Sequence, residues 1–345
     1  MKKREFPLFG DDCKSLLCRY LSPELYETLS GRETRYGFTI DDAIASGVLN
    51  PDSSIGVYAG DEESYSLFGE LFDPIIRDYH GFTEEMRHTS DLDPSHLKAP
   101  NPDPEGRYIL STRIRVGRNL HCFPLAPSIS SRERLICECM ISDALKRLEG
   151  DLKGSYHPLE NMDDSVKREM IENHFLFKEG DRFLEAAGAN RDWPRGRGIY
   201  HNEEKSFLVW VNEEDQMRII SMQRGADIEA VFSRLSRALK ALERELFFAF
   251  DERLGYIGSC PTNLGTAMRA SVHIRIPKLA EDMQLLQSIT DKHHLQIRGT
   301  DGEHSLSREG IFDISNRRRL GISEVEAVQG MYDGIVELIE TEKRI

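Results

Sequence analysis

Residues 269–276, Arg-Ala-Ser-Val-His-Ile-Arg-Ile, alternate polar and apolar side chains along their whole length. A period of two marks a β-strand with one buried face. It puts Arg269, Ser271 and His273 on one side and Ala270 and Val272 on the other. Residues 108–116, YILSTRIRV, also suggest a strand, in which Ser111, Arg113 and Arg115 share a face and Thr112 and Ile114 lie opposite. Arg218 falls in a further candidate strand, Met217–Met222, which NEEDQ joins to the apolar run Lys205–Val211. Guanidinium groups on a sheet face repel one another unless anions sit between them, and their planar forks match phosphate oxygens. For a single arginine, a solvated charge or an ion pair is the commoner explanation. Two strands with the same alternation weaken that explanation without removing it. No Gly-rich phosphate loop of the Walker or dinucleotide type is present. If a nucleotide binds, arginine side chains must supply the cradle.

Outward from these strands the pattern changes. The first eighty residues read as helical. Ser22-Pro23 is an N-cap followed by a first-turn proline. Tyr65, Phe68 and Phe72 recur on one helical face, with a break or kink expected at Pro74. Residues 50–60, NPDSSIGVYAG, are rich in turn formers and read as a loop. A polar stretch with Pro94, Pro100, Pro102 and Pro104 forbids a continuous helix. Ile228–Phe250 reads as one long amphipathic helix. Ser323 and Glu326 form a capping box that opens the last helix. Strands and helices interleave without βαβ repeats. The expected fold class is α+β, with an α-helical N-terminal domain over 1–85, a linker over 86–106 and a larger domain with a mostly antiparallel sheet over 107–345.

Bulk properties limit the partners. The net charge of −14 over 345 residues argues against a general nucleic-acid binder. Any anion site must be built from clustered arginine against that field. No apolar run approaches a membrane span, and the opening MKKREFPLFGDD has no apolar core after its basic residues. The six cysteines lack zinc-site spacing, so reduced thiols in a cytoplasmic protein are expected.

Three further segments carry chemistry. Asn212-Glu213-Glu214-Asp215 crowds three acids, which Mg²⁺, a guanidinium or plain solvation would relieve. Cys260 precedes Pro261 and Thr262; a hydroxyl and local N–H groups could stabilise its anion, although an isolated cysteine is more often inert. Residues 298–304, RGTDGEH, suit a mobile closing loop with Glu303 near its tip.

Together these segments resemble the phosphagen kinases, the arginine and creatine kinase family. CPTNLGTAMRASVHIRIPKL from Cys260, FLVWVNEEDQMRIISMQ, RDWPRGRGIYHN and STRIRVGR carry the resemblance, which covers nearly the whole chain. It implies a curved antiparallel sheet flanked by helices, with MgATP or MgADP on that sheet as substrate. The implied nucleotide positions are Ser111, Arg113, Arg115, His174, Arg218, Arg269, Ser271, His273, Arg298, Arg319 and Asp313. The intervening Thr112, Ile114, Ala270 and Val272 and the following Gly299 and Thr300 belong to the same segments. Glu213 looks like the acid that reaches Mg²⁺ through water. Glu214, Cys260 and Glu303 look like the catalytic grip on a guanidinium, with Thr262 beside them. Cys260 would act as a thiolate.

The implied activity is reversible transfer of the γ-phosphoryl group of MgATP to a guanidino compound. L-Arginine is the expected substrate, and taurocyamine, glycocyamine or a protein arginine are the alternatives. Substrate size is read from the loop Asp52–Ala59, in which Ser53, Ser54, Ile55, Gly56, Val57 and Tyr58 would line the guanidine. Its length, Tyr58 and an expected Asp52–Arg182 ion pair resemble the arginine-using branch. Gly60, where that branch often has proline, Asp301 in place of a basic residue and the creatine kinase-like LFDPIIRDYHG depart from it. The implied partners are small molecules only, with no nucleic acid and no membrane, in a monomer or homodimer.

Overall fold

The computed structural model describes residues 5–10, 13–173, 175–177, 179–299 and 310–345. The N-terminal part holds the helices α1 (Leu16–Tyr20), α2 (Pro23–Leu29), α3 (Ile40–Leu49), α4 (Ser64–Leu67) and α5 (Gly69–His80). Ser22 caps α2 by accepting from the Leu25 N–H, with Pro23 in the first turn. Helix α5 runs through Pro74 without ending there. Proline forfeits one helical hydrogen bond, and burial of Leu71, Phe72, Ile75 and Ile76 on the flanking turns outweighs that loss.

Residues 86–106 contain one short 3₁₀ turn, Pro94–His96, and otherwise no helix or strand. The stretch is held by side chains. The Glu324 carboxylate accepts from Ser90 and from the Asp91 N–H, both at 2.9 Å, and Asp103 accepts from the N–H groups of residues 107–109.

The rest of the chain supplies β1 (Ile109–Arg118), α6 (Ser131–Leu145), β2 (Gly154–Pro158), α7 (Asp164–Glu172), α8 (Arg182–Ala186), β3 (Gly198–Asn202), β4 (Phe207–Val211) and β5 (Met217–Arg224). There follow α9 (Ile228–Leu242), β6 (Phe250–Asp251), β7 (Gly255–Tyr256), β8 (Met268–Arg275), α10 (Met283–Lys292), β9 (Leu295–Arg298), β10 (Ile311–Asn316) and α11 (Glu324–Arg344). Among the described residues one eight-stranded sheet has the order β2-β3-β4-β5-β1-β8-β10-β9, and every neighbouring pair in it is antiparallel. The fold class is α+β, as the sequence patterns indicate.

Period-two alternation sorts the sheet's two faces. Ile114, Val116, Val209, Met217, Ile219, Ala270, Val272 and Ile314 enter the main core, which α9 and α11 complete with Val231, Leu235, Leu239, Val328 and Ile335. Helix α9 stops at Leu242, short of the expected end at Phe250. Extended pairing takes over: the Ala249 N–H donates to the Asn119 carbonyl at 2.8 Å, and Phe250 pairs with Tyr256. A second core joins Leu17, Ile40, Phe68, Phe72 and Ile75 of the N-terminal helices to Leu125, Leu254, Ile257, Leu264 and Leu320.

Cys13 and Cys18 form a disulfide, against the expectation of six reduced thiols. Cys13 precedes α1 and Cys18 lies in its first turn, with Cα atoms 6.4 Å apart, within bridging reach. Cys122, Cys137, Cys139 and Cys260 are free. Among the described residues no helix is long and apolar enough to cross a membrane.

Three backbone hydrogen bonds seat the 50–60 loop. The Leu16 and Leu17 N–H groups donate to Ser54 and Ile55 carbonyls at 3.0 and 2.9 Å, and the Gly47 N–H donates to Gly56 at 3.1 Å. Gly56 has φ 85°, and a Cβ on Gly47 would stand 2.4 Å from the Gly56 carbonyl oxygen. Gly60 is enclosed in the same way: a Cβ there would meet the Phe38 ring at 2.3 Å, and its N–H donates to Ser64, which a proline could not do. Gly47→Ala is therefore expected to destabilise the protein by about 1–3 kcal/mol through overpacking, measured as a lower urea midpoint.

Candidate active site

The sheet face opposite the main core carries the arginines. On β1 and β8, Arg113 pairs with Ser271, Arg115 with Arg269 and Ser111 with His273. The row continues through His273 to Asp313 on β10 and on to Arg298 on β9. Sequence alternation assigned the β1 and β8 residues to a common face strand by strand, Asp313 and Arg298 came from the family resemblance, and the register brings the strands together. Thr112, Ile114, Ala270 and Val272 are fully buried on the opposite side, and Thr112 donates to the Gly225 carbonyl at 2.8 Å. Their side chains therefore cannot meet a ligand on the arginine face.

The charges on this face are only partly balanced. Arg269 donates to Asp313 at 2.8 Å, and His273 stands 3.9 Å from the same carboxylate. Burial raises the Asp313 carboxyl, but Arg269 and His273 hold it below its ordinary value. Arg113 is pushed down to about 10 by burial first and then by Arg269 and Arg218. Its Nε and Nη2 find no hydrogen-bond partner among the described residues. Arg115 is lowered too, by burial and then by Arg218, Arg113, Arg269 and Arg319. A set of buried and half-buried guanidiniums that depress one another suits an anion chemically.

Trp210 on β4 completes this face. Its ring lies 5.4 Å from the Arg113 guanidinium and 5.5 Å from that of Arg218, and its Nε1–H donates to the Phe175 carbonyl at 2.6 Å. The apolar run FLVWV gave no sign of this role, which depends on the pairing of Trp210 with Arg218.

The acids begin where the arginines end. Asn212 opens the turn after β4 with φ 56°, and its side-chain amide donates to the carbonyls of Gly196 at 2.7 Å and Arg134 at 3.2 Å. Of the three crowded acids, Asp215 turns inward and accepts from Asn119 at 2.8 Å. Glu213 and Glu214 face the cleft, and each accepts from Arg218 at 2.8 Å. Burial lowers Arg218, but Glu213 and Glu214 outweigh it and hold it above its usual value. Glu214 is raised to about 7, first by burial and against the pull of Arg218.

Residues 260–263 face these acids. Cys260 Sγ lies 3.2 Å from the Thr262 hydroxyl. Asn263 donates to Glu214 at 3.1 Å and accepts from Arg319, whose Nη1 also donates to the Thr262 carbonyl at 3.2 Å. Burial, then the Glu214 carboxylate, pushes the Cys260 thiol up to about 12. Burial and Glu214 thus both oppose the thiolate that the resemblance implies.

A cleft of about 350 Å³ unites these groups. Its walls include Ser53, Ser54, Ile55, Gly56 and Tyr58, with Arg115, Glu213, Glu214, Arg218, Cys260, Thr262, Arg298 and Arg319. Val57 is fully buried and does not line it. Arg113, Arg269, Ser111, Ser271 and His273 lie on the adjoining sheet face, not in the cleft wall. Asp52 and Arg182 form their expected ion pair at the rim. Tyr79, Asp181, Phe183, Leu184 and Asn263 also line the cleft and had not been singled out. Gly299 follows β9 directly. His174, Thr300, Asp301 and Glu303 lie outside the described residues.

Arg113 leaves Nε and Nη2 without a hydrogen-bond partner among the described residues, so Arg113→Met is expected to leave thermal stability unchanged or raise it. Inorganic tripolyphosphate is expected to raise the melting temperature of the unaltered protein, and this increment should be lost in the variant. Thermal unfolding with and without tripolyphosphate checks both points.

Comparison with known proteins identifies the family. Residues 137–345 match the ATP:guanido phosphotransferase C-terminal catalytic domain, and residues 11–77 match the N-terminal domain of the same family. An arginine kinase of Anthopleura japonica is 53% identical over 343 residues, covering 98% of this chain. The chain spans about half that relative's length, 48%. An arginine kinase of Penaeus vannamei is 51% identical over 335 residues, 97% of this chain and 94% of its own length. Among solved structures, a lombricine kinase superposes with a TM-score of 0.91 at 40% identity, covering 98% of this chain and 94% of that one. A duplicated taurocyamine kinase of Schistosoma mansoni gives 0.92 at 43% identity, covering 97% of this chain and 47% of that one. With both family domains matched in order and half the residues shared with full-length relatives, the chain belongs to the ATP:guanido phosphotransferase family.

Proposed function

We propose that this chain moves the γ-phosphoryl group of MgATP reversibly onto the guanidinium of L-arginine and so buffers ATP. The observation that carries the reading is the junction at Arg218 and Asn263, where an arginine-lined sheet face meets Glu214 and Cys260 in one cleft. Phosphoryl transfer needs positioning and charge stabilisation more than covalent help from the protein. Arg113, Arg115, Arg218, Arg269 and Arg319 would hold the triphosphate and offset charge on the moving phosphoryl. Glu214 would fix the guanidinium plane and accept its proton. Cys260 would offer a second polar contact. Its conversion to thiolate requires nearby positive charge, which a bound guanidinium supplies. The family resemblance gives Glu303, outside the described residues, a share in this grip.

Magnesium fits this donor set. Glu213 is a carboxylate on the cleft wall, next to the arginine face, and its partner Arg218 is one that phosphate would engage. Glu213 would hold Mg²⁺ through water, with the nucleotide phosphates as its main ligands; the ion would neutralise phosphate charge.

The choice of arginine rests on the short loop closed by Gly47 and Gly56, on Tyr58 and the Asp52–Arg182 pair, and on the two arginine kinase relatives. The likeness to lombricine and taurocyamine kinases supports a second reading, another guanidine in the same cleft. A panel of arginine, taurocyamine, glycocyamine, creatine and lombricine with MgATP tests both. Arginine is expected to give the highest kcat/KM. Absence of turnover with all five would exclude the function.

Glu214→Gln is expected to lower kcat about a hundredfold or more, because the amide cannot take the proton. A carboxyl raised to about 7 must be ionised to act as a base. Forward kcat/KM should therefore rise with pH through about 7 and level off above it, as measured by a pH profile of phosphoarginine formation.

A further inference from the structure

The segment around Cys260 is held from outside, carbonyl by carbonyl. Tyr65 Oη donates to the Gly258 carbonyl at 2.7 Å, the Ala59 N–H to Ser259 at 2.7 Å, and His80 Nε2 meets the Pro261 carbonyl at 2.9 Å. All three partners come from the N-terminal helical part. A carbonyl oxygen only accepts, so Nε2 must carry the proton and His80 is the donor. Burial, more than the nearby Arg319, pushes this imidazole down to about 4, so it stays neutral at physiological pH. Its Nδ1 is buried and has no partner among the described residues. The ring thus makes one hydrogen bond, and that bond falls on the 3₁₀ turn Pro261–Asn263.

We propose that His80 is a positioning residue that fixes the Cys260–Asn263 turn, so that the last turn of α5 sets the geometry of the guanidinium grip. The bond matters because the turn carries three groups at once: the Cys260 thiol, the Thr262 hydroxyl 3.2 Å from it, and the Asn263 amide that orients Glu214. Arg319 steadies the turn from the nucleotide side through the Thr262 carbonyl and Asn263. His80 is the opposing side-chain tether. Without it the Pro261 carbonyl keeps only the Leu264 N–H at 3.4 Å, a contact within the turn itself, and the turn loses its side-chain tether to α5.

This proposal rests on the reading of Glu214 and Cys260 as the guanidinium grip, and its test separates the two. His80→Leu removes the donor at similar volume. His80→Gln puts an amide N–H near the place of Nε2–H. The first measurement is alkylation of each free cysteine at one pH by iodoacetamide, followed by peptide mass spectrometry. Cys260 in His80→Leu is expected to react about tenfold faster than in the unaltered protein. Cys137, buried in the main core, should react at its original rate, and His80→Gln should restore slow Cys260 labelling. The second measurement is kinetic: KM for the guanidine should rise about tenfold in His80→Leu, KM for MgATP should stay within about twofold, and Gln should restore both. Unchanged Cys260 labelling in folded His80→Leu, a parallel rise at Cys137, or no rescue by Gln would overturn the proposal. If the unaltered protein phosphorylates no guanidine, the functional reading fails and the labelling pattern still decides the role of His80.

Discussion

Mutual repulsion among buried guanidiniums on one sheet face is the constraint around which this protein is arranged. Arg113, Arg115, Arg218 and Arg269 project from neighbouring strands into a region where burial already disfavours charge. Two of the four are offset, Arg218 by Glu213 and Glu214 and Arg269 by Asp313. Arg113 and Arg115 are the residual imbalance. Such a face costs stability in the free protein. It is tolerated because the other face of the same strands buries a continuous layer of Ile, Val and Met against α9 and α11. Alternation along each strand thus gives one residue run two tasks: even positions of β1 hold the sheet together, and odd positions present the unbalanced positive charge.

The ion pairs that limit this repulsion also define where the second substrate would sit. Arg218 spans the boundary, with one side on the Trp210 ring and the other on Glu213 and Glu214. Glu214 shares its oxygens between Arg218 and Asn263, and Asn263 is shared with Arg319. A change in charge at either end of this chain reaches the other through three hydrogen bonds. That arrangement suits a reaction in which a cation and a polyanion must meet in line while water is kept out.

Much of this was legible in the sequence, and the limits are physical. Period-two alternation in 111–115 and 269–273 sorted arginines from core residues because a strand has only two faces. Which strands would adjoin was not legible, since register depends on residues far apart in the chain. Trp210 therefore read as an ordinary apolar strand residue. Tyr79, Phe183 and Leu184 reach the cleft from helices whose pattern shows only their own amphipathic face. Pro74 read as a breaker because local rules omit the burial of the turns around it. The end of α9 was misjudged for a similar reason: Phe247–Ala249 continue an apolar pattern, but Ala249 is drawn into pairing with Asn119, a contact beyond any local window. The Cys13–Cys18 bridge follows from a turn that brings the two together, which composition does not encode.

The N-terminal helices are more than a lid on the catalytic sheet. Their loop is set by close backbone approach at Gly47 and Gly56, and the same helices hold the carbonyls of Gly258, Ser259 and Pro261. The wall that would read the length of a guanidine and the turn that would grip its nitrogens therefore share one support. A substitution that moved α5 relative to the sheet would alter both together. Substrate size and reactivity are hard to vary independently when Tyr58 and Cys260 are joined through a single hydrogen bond, from the Ala59 N–H to Ser259. The smallest change that separates them is at a side-chain tether, not in the loop, because side chains can be exchanged without shifting the backbone contacts that seat the loop itself.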